Sequence, residues 1–312
     1  VHADETTCQV LREKGRTAEQ TSYMWLYTTD SDALTPIVLY DYQPSRKGSC
    51  AQNFLEGFRG LVQCDGYQGY NKLEDVILVC CLAHARRKFF EAVPAARRKR
   101  LKLLDINSDE AIEDINLPDE EEAKQLLPAE IGLLYCNKLF YLERTLKDLN
   151  PEERKQQRDV LEQPVWDQFW NWLDTLHPTG GSKLGKAVNY AQNHHDTLMN
   201  YLLDGRCEIS NNRAERKAKS YAIGRKAFLF HTSETGASAS AVMYSIVETA
   251  KANNLNIFQY LYTVLLYMPD YMNSSAGIEQ LMPWSEFIKE QCSGLIDVES
   301  NVPEKRIPLP HR

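Results

Sequence analysis

A change of rhythm along the chain constrains its fold more than any other feature. Strand-length apolar runs crowd the first hundred residues, and from about 100 to 203 there is no convincing strand at all. Residues 1–11 read as a strand, with Cys8, Val10 and Leu11 near its end and Lys14-Gly15-Arg16 as the following turn. Tyr23 to Tyr27 and Ile37 to Tyr40 are short apolar and aromatic runs, with Asp30-Ser31-Asp32 supplying turn chemistry between them. Three strands joined by short turns predict an antiparallel meander. Gly48 to Phe58 then reads as a helix, with Phe54, Leu55 and Phe58 on one face. Gly60 to Cys64 is a compact strand that stops at Asp65-Gly66, and Val76 to Cys81 is another, leading into a helix from Ala83.

The middle of the chain carries helical periods instead. Leu133, Leu134, Leu139, Phe140, Leu142 and Leu146 mark one helix, closed by Asn150-Pro151. A second runs from about Glu152 through Trp166, Phe169, Trp170 and Leu173, with a break or kink at Pro164. A third follows Ser182 and carries Leu184, Val188, Tyr190, Leu198 and Leu202. Beyond it, 211–221 reads as a helix opening at Asn211-Asn212, Ala227 to Phe230 as a short apolar run, and Ser238 to Ala252 and Ile257 to Met268 as two further helices. Meander strands followed by alternating helices and strands predict an α/β fold with an RNase H-like mixed sheet core and flanking helices, interrupted by an all-helical insertion. The expected divisions are a first part of the core over 1–99, the insertion over 100–203, the second part of the core over 204–268, and a C-terminal extension and tail over 269–312.

Charge is distributed unevenly, and its distribution says more than its total of -7. His84 to Lys102 carries +7, Leu103 to Glu130 carries -9, and Arg206 to Lys226 carries +5. Local basic patches of this strength suit a phosphate-backbone surface whatever the overall sign. The acidic stretch 105–122 reads as a solvated face or linker. The eight scattered cysteines, with no CxxC, read as reduced thiols of a cytoplasmic protein. The apolar runs are too short to span a membrane, and the start lacks the charged and apolar regions of a signal peptide. Phosphate-binding glycine loops and a serine-nucleophile elbow are missing, which removes nucleotide-binding and serine-hydrolase chemistry.

Three carboxylates stand out by position. Asp4 lies within the first strand, Asp65 ends another in Cys64-Asp65-Gly66-Tyr67, and Glu215 lies on a basic helix in Asn211-Asn212-Arg213-Ala214-Glu215-Arg216. Three oxygen donors converging from separate elements suit Mg²⁺, which also takes waters and substrate phosphate oxygens. A pair of such ions can activate a water or a 3′-hydroxyl and stabilise the leaving oxygen of a phosphodiester. The alternative is a surface Asp, a turn Asp and one half of a helix salt bridge.

The ordered motifs favour the first of these. Ala3-Asp4-Glu5-Thr6, Asp65-Gly66-Tyr67 with Tyr70, Cys81-Leu82-Ala83-His84-Ala85-Arg86-Arg87-Lys88-Phe89, Asp204-Gly205-Arg206, Asn211 to Arg216, and Gly224-Arg225-Lys226 followed by Phe228-Leu229-Phe230 occur in this order. Together with Gly236-Ala237 and the helix to Thr249-Ala250-Lys251, the chain resembles the catalytic part of a transposase of the insertion-sequence-66 family, DDE type, over roughly residues 1 to 268. The resemblance implies that Asp4, Asp65 and Glu215 are the catalytic, metal-binding triad, separated by 61 and 150 residues. It implies Mg²⁺, with Mn²⁺ as a substitute and two ions when DNA is bound. The implied reaction is hydrolysis at the element ends, then attack of the freed 3′-hydroxyl on target DNA. Implied partners are double-stranded DNA at the element ends and the target, and further copies of the chain in the DNA complex. Members of the family carry a further N-terminal part, so recognition of terminal repeats is expected to lie outside these residues. A metal-dependent nuclease without strand transfer, and a non-catalytic remnant that binds DNA or partner subunits, are the competing readings.

Basic residues near these motifs are the expected backbone contacts: Arg86, Arg87 and Lys88 on one helix, Arg213, Arg216, Lys217 and Lys219 around Glu215, and Arg225 and Lys226 beyond. Such contacts position DNA rather than read it. Asn211 and Asn212 are expected to cap the Glu215 helix or touch DNA. Cys80, Cys81 and His84 make a poor zinc site, because adjacent strand residues point to opposite faces. His194-His195 stands without nearby partners, and Trp166, Trp170 and Trp172 read as helix-packing residues.

Overall fold

The computed structural model describes residues 1–30, 33–98, 116–271 and 276–293. Ser31 and Asp32 of the expected turn, the basic residues Lys99, Arg100 and Lys102, the acidic positions 105–114, the expected boundary at 99/100 and the polar tail from 297 lie outside the described residues. In chain order the elements are β1 (His2–Arg12), β2 (Thr21–Thr28), β3 (Val38–Gln43), α1 (Gly48–Phe54), β4 (Gly60–Cys64), β5 (Val76–Cys80), α2 (Leu82–Ala92) and α3 (Ala95–Arg98). They continue with α4 (Glu120–Ala123), α5 (Pro128–Thr145), α6 (Pro151–Leu161), α7 (Gln163–Asp174), α8 (Lys183–Asn193) and α9 (His195–Met199). The last are α10 (Asn212–Phe228), β6 (His231–Ser233), α11 (Glu234–Ala252), α12 (Ile257–Tyr267) and α13 (Glu286–Cys292). The chain divides into two compact units, one of 1–50 with 213–312 and one of 51–212. None of the described helices is long and apolar enough to cross a membrane.

The first unit is a mixed sheet with helices laid on it. The expected meander is there: β1 pairs antiparallel with β2 from His2↔Thr28 to Gln9↔Thr21, and β2 pairs antiparallel with β3. The short strand β6, not foreseen from sequence, joins β1 in parallel at Val10↔His231. Alternation along β1 sends Cys8 and Val10 into a core with Met24, Leu26, Val38 and Tyr40, covered by Ala214, Ala218 and Tyr221 of α10 and Ala237 and Ala241 of α11. Small residues on both helices let them lie close to the sheet. The outer strand β3 would otherwise expose unpaired backbone groups. Instead, Ser245 Oγ accepts from Tyr40 N at 2.8 Å, and Thr249 Oγ1 accepts from Val38 N at 3.0 Å and donates to Val38 O at 2.9 Å.

The apolar run at 227–230 is not a separate element. Helix α10 continues through Phe228, whose ring packs edge-on against Tyr221 with centroids 5.9 Å apart. It ends with Leu229 at φ 63°, a left-handed conformation that stops the helix before β6. Helix α13 adds regular structure beyond Pro269, packing Phe287, Ile288 and Cys292 with Tyr260 and Tyr267.

The second unit pairs β4 with β5 in parallel, Gly60↔Val76 to Cys64↔Cys80. Every described element from α2 to α9 is helical, in keeping with the strand-free middle of the sequence. Pro164 falls in the first turn of α7, so the expected kink is a clean break between α6 and α7. The third expected helix also breaks, at His194, which caps α8 and opens α9. Phe89, Leu133, Leu139, Trp166, Phe169 and Leu173 are buried together in one core. Trp166 and Trp170 stack with ring centroids 5.5 Å apart, the packing role expected of them.

A polar network ties this helical part together. Arg158, 1% exposed, donates to both carboxylate oxygens of Glu143 at 2.6 and 2.8 Å. It also donates to the carbonyls of Tyr201, Asp204 and Cys207 at 3.0, 3.0 and 2.7 Å. All five guanidinium donors are therefore spent, two on α5 and three on the 201–207 segment. Gly205 is required at that segment because a side chain there would collide with the Pro151 carbonyl. Beside the network, buried Glu162 accepts from Tyr201 Oη, and Trp166 Nε1 donates to the same hydroxyl at 3.1 Å.

Candidate active site

Asp4 and Glu215 belong to the first unit, and the structure brings them to one face of it. Asp4 lies opposite Leu26 in the β1–β2 register, on the side of β1 that also carries Cys8 and Val10. That side is covered by α10, whose first turn carries Glu215 next to the buried Ala214. The direction of α10 follows from its contacts. Near its far end Arg225 donates to the Thr7 carbonyl and to Thr7 Oγ1 at 2.7 Å, and Tyr221 hydrogen-bonds His231 Nε2 at 2.8 Å. At its beginning, the Arg213 charge acts on Asp30, which is bridged to His2 at 3.0 Å. The helix thus runs back along β1, and Glu215 stands level with the start of the strand, where Asp4 is.

Both carboxylates are half-buried. Asp4 Oδ1 accepts from the Glu5 amide at 2.9 Å, which orients its side chain against its own strand. Glu5 points to the other side and pairs with Arg46. Burial pushes the Asp30 carboxyl up, but the hydrogen bond from His2 and the nearby positive charges outweigh it and hold it below the usual range. The Asp30 carboxylate, paired with His2, is therefore compensated.

Asp65 belongs to the second unit. It follows β4 directly, where Tyr67 N donates to Asp65 Oδ1 at 2.9 Å and turns the chain. Its surroundings come from distant parts of the sequence. Cys80, Tyr190 and His194 all feel its charge. Burial pushes the Cys80 thiol up, and Tyr190 Oη lies 3.6 Å from its sulfur. Burial also lowers His194, against the opposing pull of Asp65 and with help from Lys88. In the sequence Tyr190 reads only as a helix-packing residue and His194 only as half of a histidine pair, and nothing links them to Asp65, 125 and 129 positions earlier.

The basic candidates divide by exposure. Arg216, Lys219 and Lys226 are exposed along one side of α10, with Ile223 between them. Lys217 is half-buried and bridges Glu248 at 2.9 Å, and Arg225 is engaged with Thr7. Arg213 and Asn212 are half-buried. On α2, Arg87 is exposed and Lys88 half-buried, with Lys88 Nζ 4.9 Å from the Tyr190 ring centroid. Arg86 departs from expectation: it is 4% exposed and donates to Asn137 Oδ1 at 2.5 Å, so its guanidinium is spent on the helix packing of α2 against α5. Asn211 is likewise buried, its amide donating to Cys81 Sγ at 3.1 Å. Cys80 and Cys81 thus face different partners, and all eight cysteines are buried free thiols.

Residues 1–239 match the Transposase IS66 family, and residues 245–284 match the IS66 C-terminal element. Two uncharacterized proteins of Sinorhizobium fredii (strain NBRC 101917 / NGR234), y4hP and y4jD, are each 28% identical to the chain, over 298 and 300 residues. The matches cover 91% of this chain but 50% and 53% of those relatives, so the chain spans about half their length. No solved structure matches it. The family match runs from β1 through the Asp65 turn and the helical part to α10 and the start of α11, and the chain belongs to the IS66 transposase family.

Proposed function

We propose that this chain is the catalytic part of a DNA transposase with an RNase H-like core, divided at 1–99 and 204–268 by the helical insertion over 100–203 and followed by an extension over 269–312. In this reading it cuts phosphodiester bonds at the ends of a mobile element and joins the freed 3′-hydroxyl to target DNA. Asp4, Asp65 and Glu215 hold divalent metal. The observation that carries the reading is the placement of Asp4 and Glu215, 211 residues apart, on one face where α10 runs back along β1. Family membership, which implies a role in transposition, supports it.

The donor set fits a hard cation. All three side chains are carboxylates, half-buried and carried at a strand, a strand end and a helix turn, and oxygen donors of this kind select Mg²⁺ or Mn²⁺ over softer metals. When bound, the metal supplies Lewis acidity for a water or 3′-hydroxyl nucleophile and for the leaving oxygen. The chain's own residues do the rest. Tyr67 and Glu5 amides fix one oxygen of Asp65 and of Asp4, so each carboxylate presents a set orientation. Arg216, Lys219 and Lys226, with Arg87 and Lys88, neutralise backbone phosphates and set the register of the duplex. Arg213 and Asn212 flank Glu215, and Lys217 and Arg225 hold α10 in place. Two element ends must be joined in one event, so self-association on DNA is part of the reading.

The test is cleavage of a plasmid carrying element ends by a chain extended to the length of its relatives. Mn²⁺- or Mg²⁺-dependent nicking that drops at least about 100-fold in Asp65→Asn, with joined 3′ ends in the unmodified protein, is expected. Equal nicking by Asp65→Asn would overturn the assignment, and nicking without joined ends would reduce the protein to a nuclease.

A further inference from the structure

The turn after Asp65 is closed from outside by the helical insertion. A methyl group at Gly66 would come within 2.7 Å of His194 Nε2 and 2.8 Å of Tyr190 Oη. The backbone immediately after Asp65 therefore lies flush against both side chains, and only glycine allows that approach. Tyr190 is held from behind. Its hydroxyl meets Cys80 Sγ at 3.6 Å, and Cys80 is the β5 partner of Cys64, the residue before Asp65. The Tyr190 and His194 rings pack at 4.6 Å, and Lys88 Nζ sits over Tyr190.

His194 is fixed by its place in the chain. It is the residue at which α8 stops and α9 starts, so its backbone is tied to two helices at once. Asn200, the residue directly after α9, donates to the Leu78 carbonyl of β5 at 2.8 Å and anchors this corner to β5. Both rings are thus tied to β5, the partner of the strand that Asp65 follows.

Resting on the reading of Asp65 as a metal-holding carboxylate, we propose that Tyr190 and His194 are positioning residues for Asp65, so that the helical insertion forms one wall of the catalytic site. The pair presses on Gly66 and keeps the Asp65-Gly66-Tyr67 turn in the form in which Tyr67 N donates to Asp65. Without that pressure the carboxylate samples more orientations and holds metal less tightly. Neither residue touches the reacting atoms in this role.

The experiment is a Mn²⁺ titration of the full 312-residue chain, with free ion read by electron paramagnetic resonance and folding followed by thermal melting. The unmodified protein is expected to bind Mn²⁺, and Asp65→Asn to lose that binding. His194→Ala and Gly66→Ala are each expected to weaken it about 10-fold, the scale of a residue that orients a metal ligand. Melting of His194→Ala should stay close to that of the unmodified chain, because His194 is only half-buried. His194→Gln, which restores an N–H near the Nε2 position, should recover most of the affinity. Unchanged Mn²⁺ affinity in both His194→Ala and Gly66→Ala, with Asp65→Asn still defective, overturns the positioning role alone. Equal binding by Asp65→Asn and the unmodified chain overturns the metal reading, and the positioning role with it.

Discussion

The first unit holds its candidate carboxylates by apolar packing, and the second holds its own by polar contacts. Asp4 and Glu215 sit on a strand and a helix joined through Cys8, Val10, Leu26, Ala214, Ala218 and Tyr221. The Asp65 charge acts on a phenol, an imidazole and a thiol, those of Tyr190, His194 and Cys80, and elsewhere in the same unit α5, α6 and the 201–207 segment are tied by the Arg158 network. The contrast has a physical consequence. Apolar packing loses stability in proportion to the volume removed, whereas a buried charge that loses its partners is left uncompensated. The second unit should therefore fail abruptly where the first fails gradually.

Arg158→Ala is the strongest way to break that contrast. It leaves Glu143 without its bidentate partner and takes one donor from each of three carbonyls, at a cost of about 3–5 kcal/mol in chemical denaturation. Ala218→Gly on α10, which removes one methyl and adds backbone freedom, should cost about 1 kcal/mol. Similar losses for the two would erase the difference between the units.

Glu162 sharpens the contrast through pH. Burial, and repulsion from Glu143, raise its carboxyl well above the ordinary value despite the hydrogen bond from Tyr201 and the charge of Arg158. A raised folded-state value means that the stabilisation is full below the unfolded value and is lost as pH rises through the folded one. Glu162→Gln does not titrate. Relative to the unmodified chain it should therefore gain stability as pH rises from about 5 to about 8, read as a converging or crossing pair of melting curves. A pH-independent difference would mean that the carboxyl is already ionised in the fold.

Two helix caps calibrate the units against each other. Ser182 accepts from Gly185 N at 2.9 Å at the start of α8, and Ser233 accepts from Gly236 N at 3.2 Å at the start of α11. Ser182→Ala and Ser233→Ala should each cost about 1 kcal/mol by denaturation, because a cap depends on its own turn and not on the unit around it. The smallest effects on stability belong to Arg216→Ala, Lys219→Ala and Lys226→Ala, within about 0.5 kcal/mol. Each should still reduce the slope of log DNA affinity against log salt by about 0.9.

How much of this was legible in the sequence depended on how far apart the deciding residues lie. The meander, β4, the α12 helix and, among the described residues, the strand-free middle follow from local periodicity and turn residues, and α11 differs from its expected span only in starting four residues earlier, at Glu234. The Asp65 turn was legible because Asp-Gly after a short apolar run is a local signal. Strand β6 was not, since three residues, His231–Ser233, carry no period and are recruited by the far end of β1 at Val10 and Arg12. The break at His194 was hidden because the apolar period runs on through Leu198 and Leu202. Arg86 misled for a related reason: a basic triplet reads as one patch, while helical geometry turns Arg86 towards Asn137 and Arg87 out to solvent. Tyr190 and His194 carried no hint of their tie to Asp65, because their contact with Gly66 joins positions more than a hundred residues apart in the sequence.

The most direct measurement is an anomalous difference map from crystals of the chain soaked in Mn²⁺. The expected result is density coordinated by Asp65 together with Asp4 and Glu215. Mn²⁺ bound elsewhere, with those three carboxylates left out of its coordination, would contradict the assignment of this triad as the catalytic metal site.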